Sequence, residues 1–199
     1  MSRIFLLRHA HSQANAKNIL AGRKPGITLS DKGQQQISLL ANRFEGAKFD
    51  KIISSPIQRC LETLSFLEAQ PTIIEDFQEV DYGTWTGKRM SSLARNKTWQ
   101  EIHKHPASVR FPQGETLPEV QTRSLLGLSK INPKSKNVLI ATHADVVKVL
   151  ILHALGTHLN NIDKLQIDNA SVSILDMNGN DLRVVRVNDV DSIIKEHLK

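Results

Sequence analysis

Two arginines, two histidines and a glutamate of this chain follow closely on segments that read as β-strands. Arg8 and His9 end the run 2–7. Ser54 and Ser55 end the run 50–54 and lead to Arg59. Glu79 follows the run 72–74, and His143 follows the run 137–142. Side chains of these types brought to one place can carry out phosphoryl transfer. Two guanidiniums offer planar donor forks that match phosphoryl oxygens. One imidazole can attack phosphorus, and the other can donate to the phosphoryl oxygens as charge develops there. The carboxylic acid can protonate the departing oxygen. The protein supplies the cations, so this chemistry calls for no metal and no cofactor. Taken singly, each residue is uninformative: an arginine is usually a solvated charge, and a lone histidine is usually a satisfied structural residue. The information lies in the convergence.

That convergence depends on the elements that position the residues. The segment 2–7 is a short apolar run and reads as a buried first strand. A loop covers 16–30. Ser30 and Asp31 can cap a helix over about 31–45, in which Ile37, Leu40, Ala41 and Phe44 share one face and which Gly46 ends. A second strand at 50–54 runs into a helix with Pro56 in its first turn. A third strand is expected at 72–74, an irregular stretch at 76–88, and helices at 89–104 and 115–130. The clearest strand is 137–142, and the clearest helix is 144–156. Alternation over 170–177 and 181–187 around Asn178, Gly179 and Asn180 reads as a hairpin. A short last helix is expected at 189–198. Strands alternating with helices argue for an α/β fold, a three-layer α/β/α sandwich with a mainly parallel, doubly wound sheet and an antiparallel edge. In such sheets ligands bind outside the carboxyl ends of the strands, which is where these residues fall.

Composition limits the alternatives. At 199 residues, 40% hydrophobic and 23% charged, the chain suits one soluble domain over 1–199, with 88–114 as a lid or insertion. Its single cysteine, Cys60, rules out an intrachain disulfide and a cysteine-based zinc site. No apolar run is long enough for a membrane span and no signal-peptide core is visible, so a cytoplasmic location is expected and no membrane partner. The net charge of +6 is compatible with an anionic partner, or with nothing more than solubility. Aromatics total 5% and the basic residues are dispersed, so nucleic acid is not the expected partner.

The segment Arg8-His9-Ala10-His11-Ser12 resembles the Arg-His-Gly signature of the histidine phosphatase superfamily, also called the phosphoglycerate mutase-like family. Five further segments resemble its motifs in order: Leu29-Ser30-Asp31-Lys32-Gly33, the run 54–63 from Ser54 to Thr63, the run 79–87 from Glu79 to Gly87, Pro112-Gln113-Gly114-Glu115-Thr116, and Thr142-His143-Ala144. The resemblance implies that His9 is the nucleophile and forms a phosphohistidine. It implies that Arg8, Arg59 and His143 make the phosphate pocket with Asn15 beside them, and that Glu79 is the acid and then the base. Another branch of the family places its acid directly after the second histidine; here that position is Ala144, and Asp145 one residue further on is the reserve. Ala10 and Ala144 replace glycines, and a methyl there is tolerated where φ is negative. His11 stands where Glu or Gln is common and would make the pocket more cationic, or else it is a rim residue without a catalytic role.

The function so implied is a metal-independent phosphatase acting on small phosphorylated substrates, as a monomer or homodimer. A phosphoglycerate mutase-type enzyme would use the same pocket, but such mutases carry longer insertions than this chain has room for. Lys88, Arg89, Arg95, Lys97, Lys104 and Arg110 could reach the rest of an anionic substrate, or could form a solvated face. Two remoter readings are a metallohydrolase using His9 and His11 with His103 and His105, and a basic nucleic-acid-binding domain. The barrels that carry the first usually need about 250 residues.

Overall fold

A computed structural model of the chain describes all 199 residues. Its centre is made by β1 (Ser2–Arg8) and β4 (Asn137–Thr142), two parallel strands paired from Arg3 and Asn137 to Arg8 and Thr142. Both read as apolar runs because both faces of a parallel strand are covered. Ile4 and Leu6 of β1 point to one side with Val138 and Ile140 of β4, while Phe5 and Leu7 point to the other with Leu139 and Ala141. The remaining strands are β2 (Lys51–Ser54), β3 (Thr72–Ile73), β5 (Val172–Asn178) and β6 (Asp181–Asp189). The sheet order is β3-β2-β4-β1-β5-β6, and β5 alone runs against the other strands.

Helices cover both faces. On one lie α2 (Asp31–Arg43) and α3 (Gln58–Thr63), which bury Leu40 and Cys60 beside Phe44 and Leu64. On the other lie α6 (Leu117–Ser129) and α7 (Ala144–Ala154). The second face carries 28 buried core residues against 14 on the first, because the segment before α6 also packs there through Leu93, Ile102 and Phe111. Each fully buried Leu, Ile or Phe contributes roughly 1.5–3 kcal/mol, so the two layers hold the strand ends, and whatever is attached to them, in a fixed register. A four-residue α1 (Gln13–Ala16) follows β1 and is capped by Ser12 and Asn15. No helix is long and apolar enough to cross a membrane.

Two expected elements differ. The helix expected at 89–104 is two helices, α4 (Met90–Leu93) and α5 (Lys97–Lys104). The Asn96 side chain between them accepts hydrogen bonds from the N–H groups of Thr98 and Trp99 and so starts a new helix. The helix expected at 189–198 is absent as such. β6 continues to Asp189, whose carboxylate accepts from the N–H groups of Asp191 and Ser192 to make a turn, and only a 3-10 turn, Ile194–His197, follows. Ile194 is fully buried in this turn.

Candidate active site

The carboxyl ends of β1, β2 and β4 open on one rim. The first residue past β1 is His9, whose backbone N–H donates to the Thr142 carbonyl at 2.9 Å. Its ring is buried, with Nδ1 2.8 Å from the Ala10 carbonyl. A carbonyl only accepts, so Nδ1 carries the hydrogen and Nε2 keeps its lone pair. That Nε2 accepts from Arg59 Nε at 3.1 Å. Burial, with Arg59 and Arg8 nearby, holds the His9 pKa well below the usual imidazole range, so the ring is neutral. Nε2 therefore carries no proton, and its lone pair is held by the Arg59 guanidinium.

Arg59 reaches this position from α3, which begins just past β2. Its helix is tied back to β1 by Thr63, whose hydroxyl donates to the Arg59 carbonyl at 2.6 Å and accepts from the Ala10 N–H at 2.9 Å. The guanidinium donates from Nη2 to the Gly22 carbonyl at 3.0 Å and to His143 Nδ1 at 3.1 Å. His143 precedes α7 and is fully buried. Because Arg59 can only donate, His143 Nδ1 accepts and its Nε2–H donates to Ser55 Oγ at 2.9 Å. Burial, Arg59 and His9 push the His143 pKa well down. Neither Ala10 nor Ala144 has a positive φ, so the methyls that replace hydrogen there are unstrained. Arg8 donates from Nη1 to the Ile167 carbonyl, and burial lowers its pKa.

The carboxylate comes from the irregular stretch after β3. Glu79 Oε1 accepts from the Val80 N–H at 3.0 Å, and Oε2 lies 3.6 Å from both Arg59 Nη2 and His143 Nδ1. Burial raises its pKa to about 7, with Asp145 adding to the rise and Arg59 opposing it. Its backbone is braced from behind: Arg23 and Arg123 both donate to the Glu79 carbonyl, and both pair with Glu115 at 2.8–2.9 Å. This gives the 112–116 segment a physical role. It crosses the 79–87 segment so closely that a Cβ on Gly114 would stand 2.2 Å from the Asp81 carbonyl oxygen.

The five residues thus converge, and two of their donors are left over: Arg8 Nε and Arg59 Nη1 are buried and make no hydrogen bond within the protein. They border a cavity of about 240 Å³ whose walls include His9, Asn15, Glu79 and Ala144. The N-terminus of α7 opens there and favours negative charge. Asn15 stands on the rim, its carbonyl oxygen accepting from Ser12. His11 is not among the residues lining the cavity. Its Nδ1 sits 2.8 Å from Ser30 Oγ, the N-cap of α2, and its carbonyl is within 2.2 Å of where a Cβ on Gly33 would lie. His11 therefore joins β1 to α2. Asp145 accepts from the Tyr82 hydroxyl at 2.6 Å and faces Glu79.

Sequence reasoning left out Ser55 as partner of His143, the Glu115 brace, the Gly22 carbonyl, and Asn169, which donates to the His9 carbonyl at 3.1 Å. Ser55 and Glu115 lie in the motif segments, but the other two carry no local signal. His9, Glu79 and His143 also form a donor set compact enough to hold a metal ion. The Arg59 guanidinium already lies among them, 3.1 Å from each imidazole and 3.6 Å from the carboxylate, so a metal ion would meet its charge.

Comparison with known proteins identifies the family. The sequence model of the histidine phosphatase superfamily (branch 1) matches residues 4–190. Phosphoserine phosphatase 1 of Hydrogenobacter thermophilus is 30% identical over 191 residues, covering 89% of this chain and 87% of that protein. The solved structure of YhfR from Bacillus stearothermophilus superposes with a TM-score of 0.89 at 25% identity, over 97% of this chain and 100% of the other. That of Entamoeba histolytica phosphoserine phosphatase bound to 3-phosphoglyceric acid gives 0.84 at 21%, over 95% and 98%, a likeness of fold. The chain belongs to the histidine phosphatase superfamily, a family of phosphatases and phosphomutases.

Proposed function

We propose that this protein hydrolyses small phosphomonoesters through a phosphohistidine on His9, without a metal. The observation that carries the reading is the pair of unpartnered buried guanidinium nitrogens, Arg8 Nε and Arg59 Nη1, beside a neutral imidazole whose unprotonated Nε2 turns from its hydrogen bond with Arg59 to attack. A phosphoryl group among them has its oxygens met by both arginines, with Asn15 at the rim; its negative charge also favours a proton on His143 Nδ1, which can then donate to them. His9 Nε2 attacks phosphorus as the P–O bond to the leaving group breaks. Glu79, with a pKa near neutrality, gives its proton to the departing oxygen. Water then attacks phosphorus as the N–P bond breaks, Glu79 takes the water's proton, and inorganic phosphate leaves with His9 restored to neutral.

In the Brønsted sense a carboxyl with a pKa of about 7 suits both steps, as it is protonated and ionised in comparable amounts near pH 7. Relatives named as phosphoserine phosphatases make phosphoserine the reference ester against which other substrates are compared. The test is to trap the intermediate with a labelled phosphomonoester. An acid-labile, base-stable adduct on His9 is expected, and full activity in His9→Ala refutes the reading. Retention of label on added phosphoglycerate, rather than release as phosphate, would mark a mutase instead.

A further inference from the structure

A second cavity of about 220 Å³ adjoins the phosphoryl pocket and shares Leu20, Tyr82, Met90 and Asp145 with it. Its other walls come largely from the 88–114 segment and are apolar: Trp99, Ile102 and Phe111 face it, with Leu117 and Ile162 behind. The rings form a connected set, with Tyr82 edge-on to Phe111 at 4.8 Å and Trp85 packed on both Phe111 and Trp99. The charged groups at the cavity are already paired. Asp145 accepts from Tyr82 and lies 3.8 Å from Lys148, and His103 lies 2.7 Å from Asp163. The basic residues of the segment do not line either cavity: Lys88, Arg89, Arg95, Lys97, Lys104 and Arg110 are all exposed, and Arg110 is paired with Glu119.

We propose that this cavity is the leaving-group subsite, and that it takes an uncharged aromatic or branched apolar alcohol. The proposal rests on the phosphatase reading above and names the substrate class for it. Position supports it: the cavity meets the phosphoryl pocket at Asp145 and Tyr82, on the side where Glu79 would protonate the leaving oxygen. Size supports it too, since cavities of about 150 Å³ lined by Leu, Ile and Phe hold benzene. Electrostatics excludes the other class. The zwitterion of serine would have to shed the water around both its charges to enter, and a leaving group with a carboxylate alone, as in phosphoglycerate, would bring that charge among Glu79, Asp145 and Asp163. It would find only Lys148, already engaged with Asp145, and a desolvated charge without a partner is costly.

The experiment uses two non-hydrolysable probes and two substrates. Calorimetry on the intact protein should show benzylphosphonate binding at least about tenfold tighter than methylphosphonate, the discrimination an apolar pocket gives. Benzyl phosphate should exceed phosphoserine in kcat/KM by at least about as much, although both leave as alcohols that need a proton. Trp99→Ala, or Ile102→Ala where that variant fails to fold, should remove most of the benzyl preference and leave methylphosphonate binding unchanged, since neither residue lines the phosphoryl pocket. Equal binding of the two phosphonates, or a preference for phosphoserine that survives in both variants, overturns the subsite alone. Failure of both phosphonates to bind overturns the phosphoryl pocket beneath it.

Discussion

Replacing Glu79 with glutamine removes its charge and proton while keeping its shape and its acceptor for the Val80 N–H. The carboxyl has a folded-state pKa of about 7, against about 4.5 when solvated. A raised carboxyl pKa means that ionisation opposes folding. The penalty is absent below the unfolded value, grows as pH rises to the folded value, and is constant above it. A shift of about 2.5 units at 1.36 kcal/mol each gives about 3 kcal/mol at pH 8 and under about 1 kcal/mol at pH 5. Glu79→Gln should therefore be more stable than the parent at pH 8, by about 2–3 kcal/mol more than at pH 5. Any cost of the buried amide itself is the same at both pH values and cancels in that difference. The groups facing Glu79 (Asp145, Arg59, Arg8 and the two histidines) are common to both proteins. Urea unfolding followed by the fluorescence of Trp85 and Trp99 measures it. The same variant should lose about 10²–10⁴ in kcat/KM for an alkyl phosphate and far less for p-nitrophenyl phosphate, which leaves without a proton. In the parent, kcat/KM for the alkyl ester should fall above pH about 7, a limb missing from the aryl ester. A stability difference independent of pH, or equal loss on both esters, refutes the reasoning.

Three further outcomes follow from the contacts around the site. Ser55→Ala takes the acceptor from His143 Nε2–H in a fully buried position and should lower both stability, by about 1–3 kcal/mol, and kcat/KM, by about tenfold. Glu115→Gln weakens the ion pairs that hold Arg23 and Arg123 on the Glu79 carbonyl. It should reduce kcat/KM by up to about 10², mainly through kcat, with KM nearly unchanged. Asp176→Ala is the counterpart at the opposite end of the strands, where Asp176 of β5 pairs with Arg3 at the start of β1. It strips Arg3, Arg183 and Lys199 of a carboxylate that is 2% exposed, so unfolding should become easier by about 3 kcal/mol while kcat/KM stays put. The Asp176 pKa is depressed, so its contribution is present above the unfolded carboxyl value and fades as pH drops below it.

The centre of the fold was legible because burial writes itself into composition. β1 and β4 are covered on both faces and so appear as unbroken apolar runs, and the residues just past them could be assigned to one rim from that pattern. The 88–114 segment was less legible. Periodicity over 89–104 suggests one helix, and only the capping geometry of Asn96 divides it. At the C-terminus, Ile193, Ile194 and Leu198 have helical spacing, but the turn at Asp189 leaves too little chain for a helix. Within the site, the residues with chemically distinctive side chains could be named in advance. Their supports could not. The Gly22 carbonyl, Asn169 and the link from Tyr82 to Asp145 exist only once distant loops have docked. His11 shows the converse: a suggestive position in a motif whose side chain turns to the N-cap of α2.

Arg8 Nε and Arg59 Nη1 are desolvated donors for which the chain supplies no acceptor. Such groups weigh against folding. A tetrahedral oxyanion that meets them relieves that cost only in the folded state, so folding and occupancy are thermodynamically linked. Inorganic phosphate, the expected product, is such an ion. At about a hundred times its dissociation constant it would add about 2.7 kcal/mol to the stability of the protein. The phosphate pool around the enzyme would then act in two opposed ways, competing with substrate for the pocket while protecting the fold that makes the pocket.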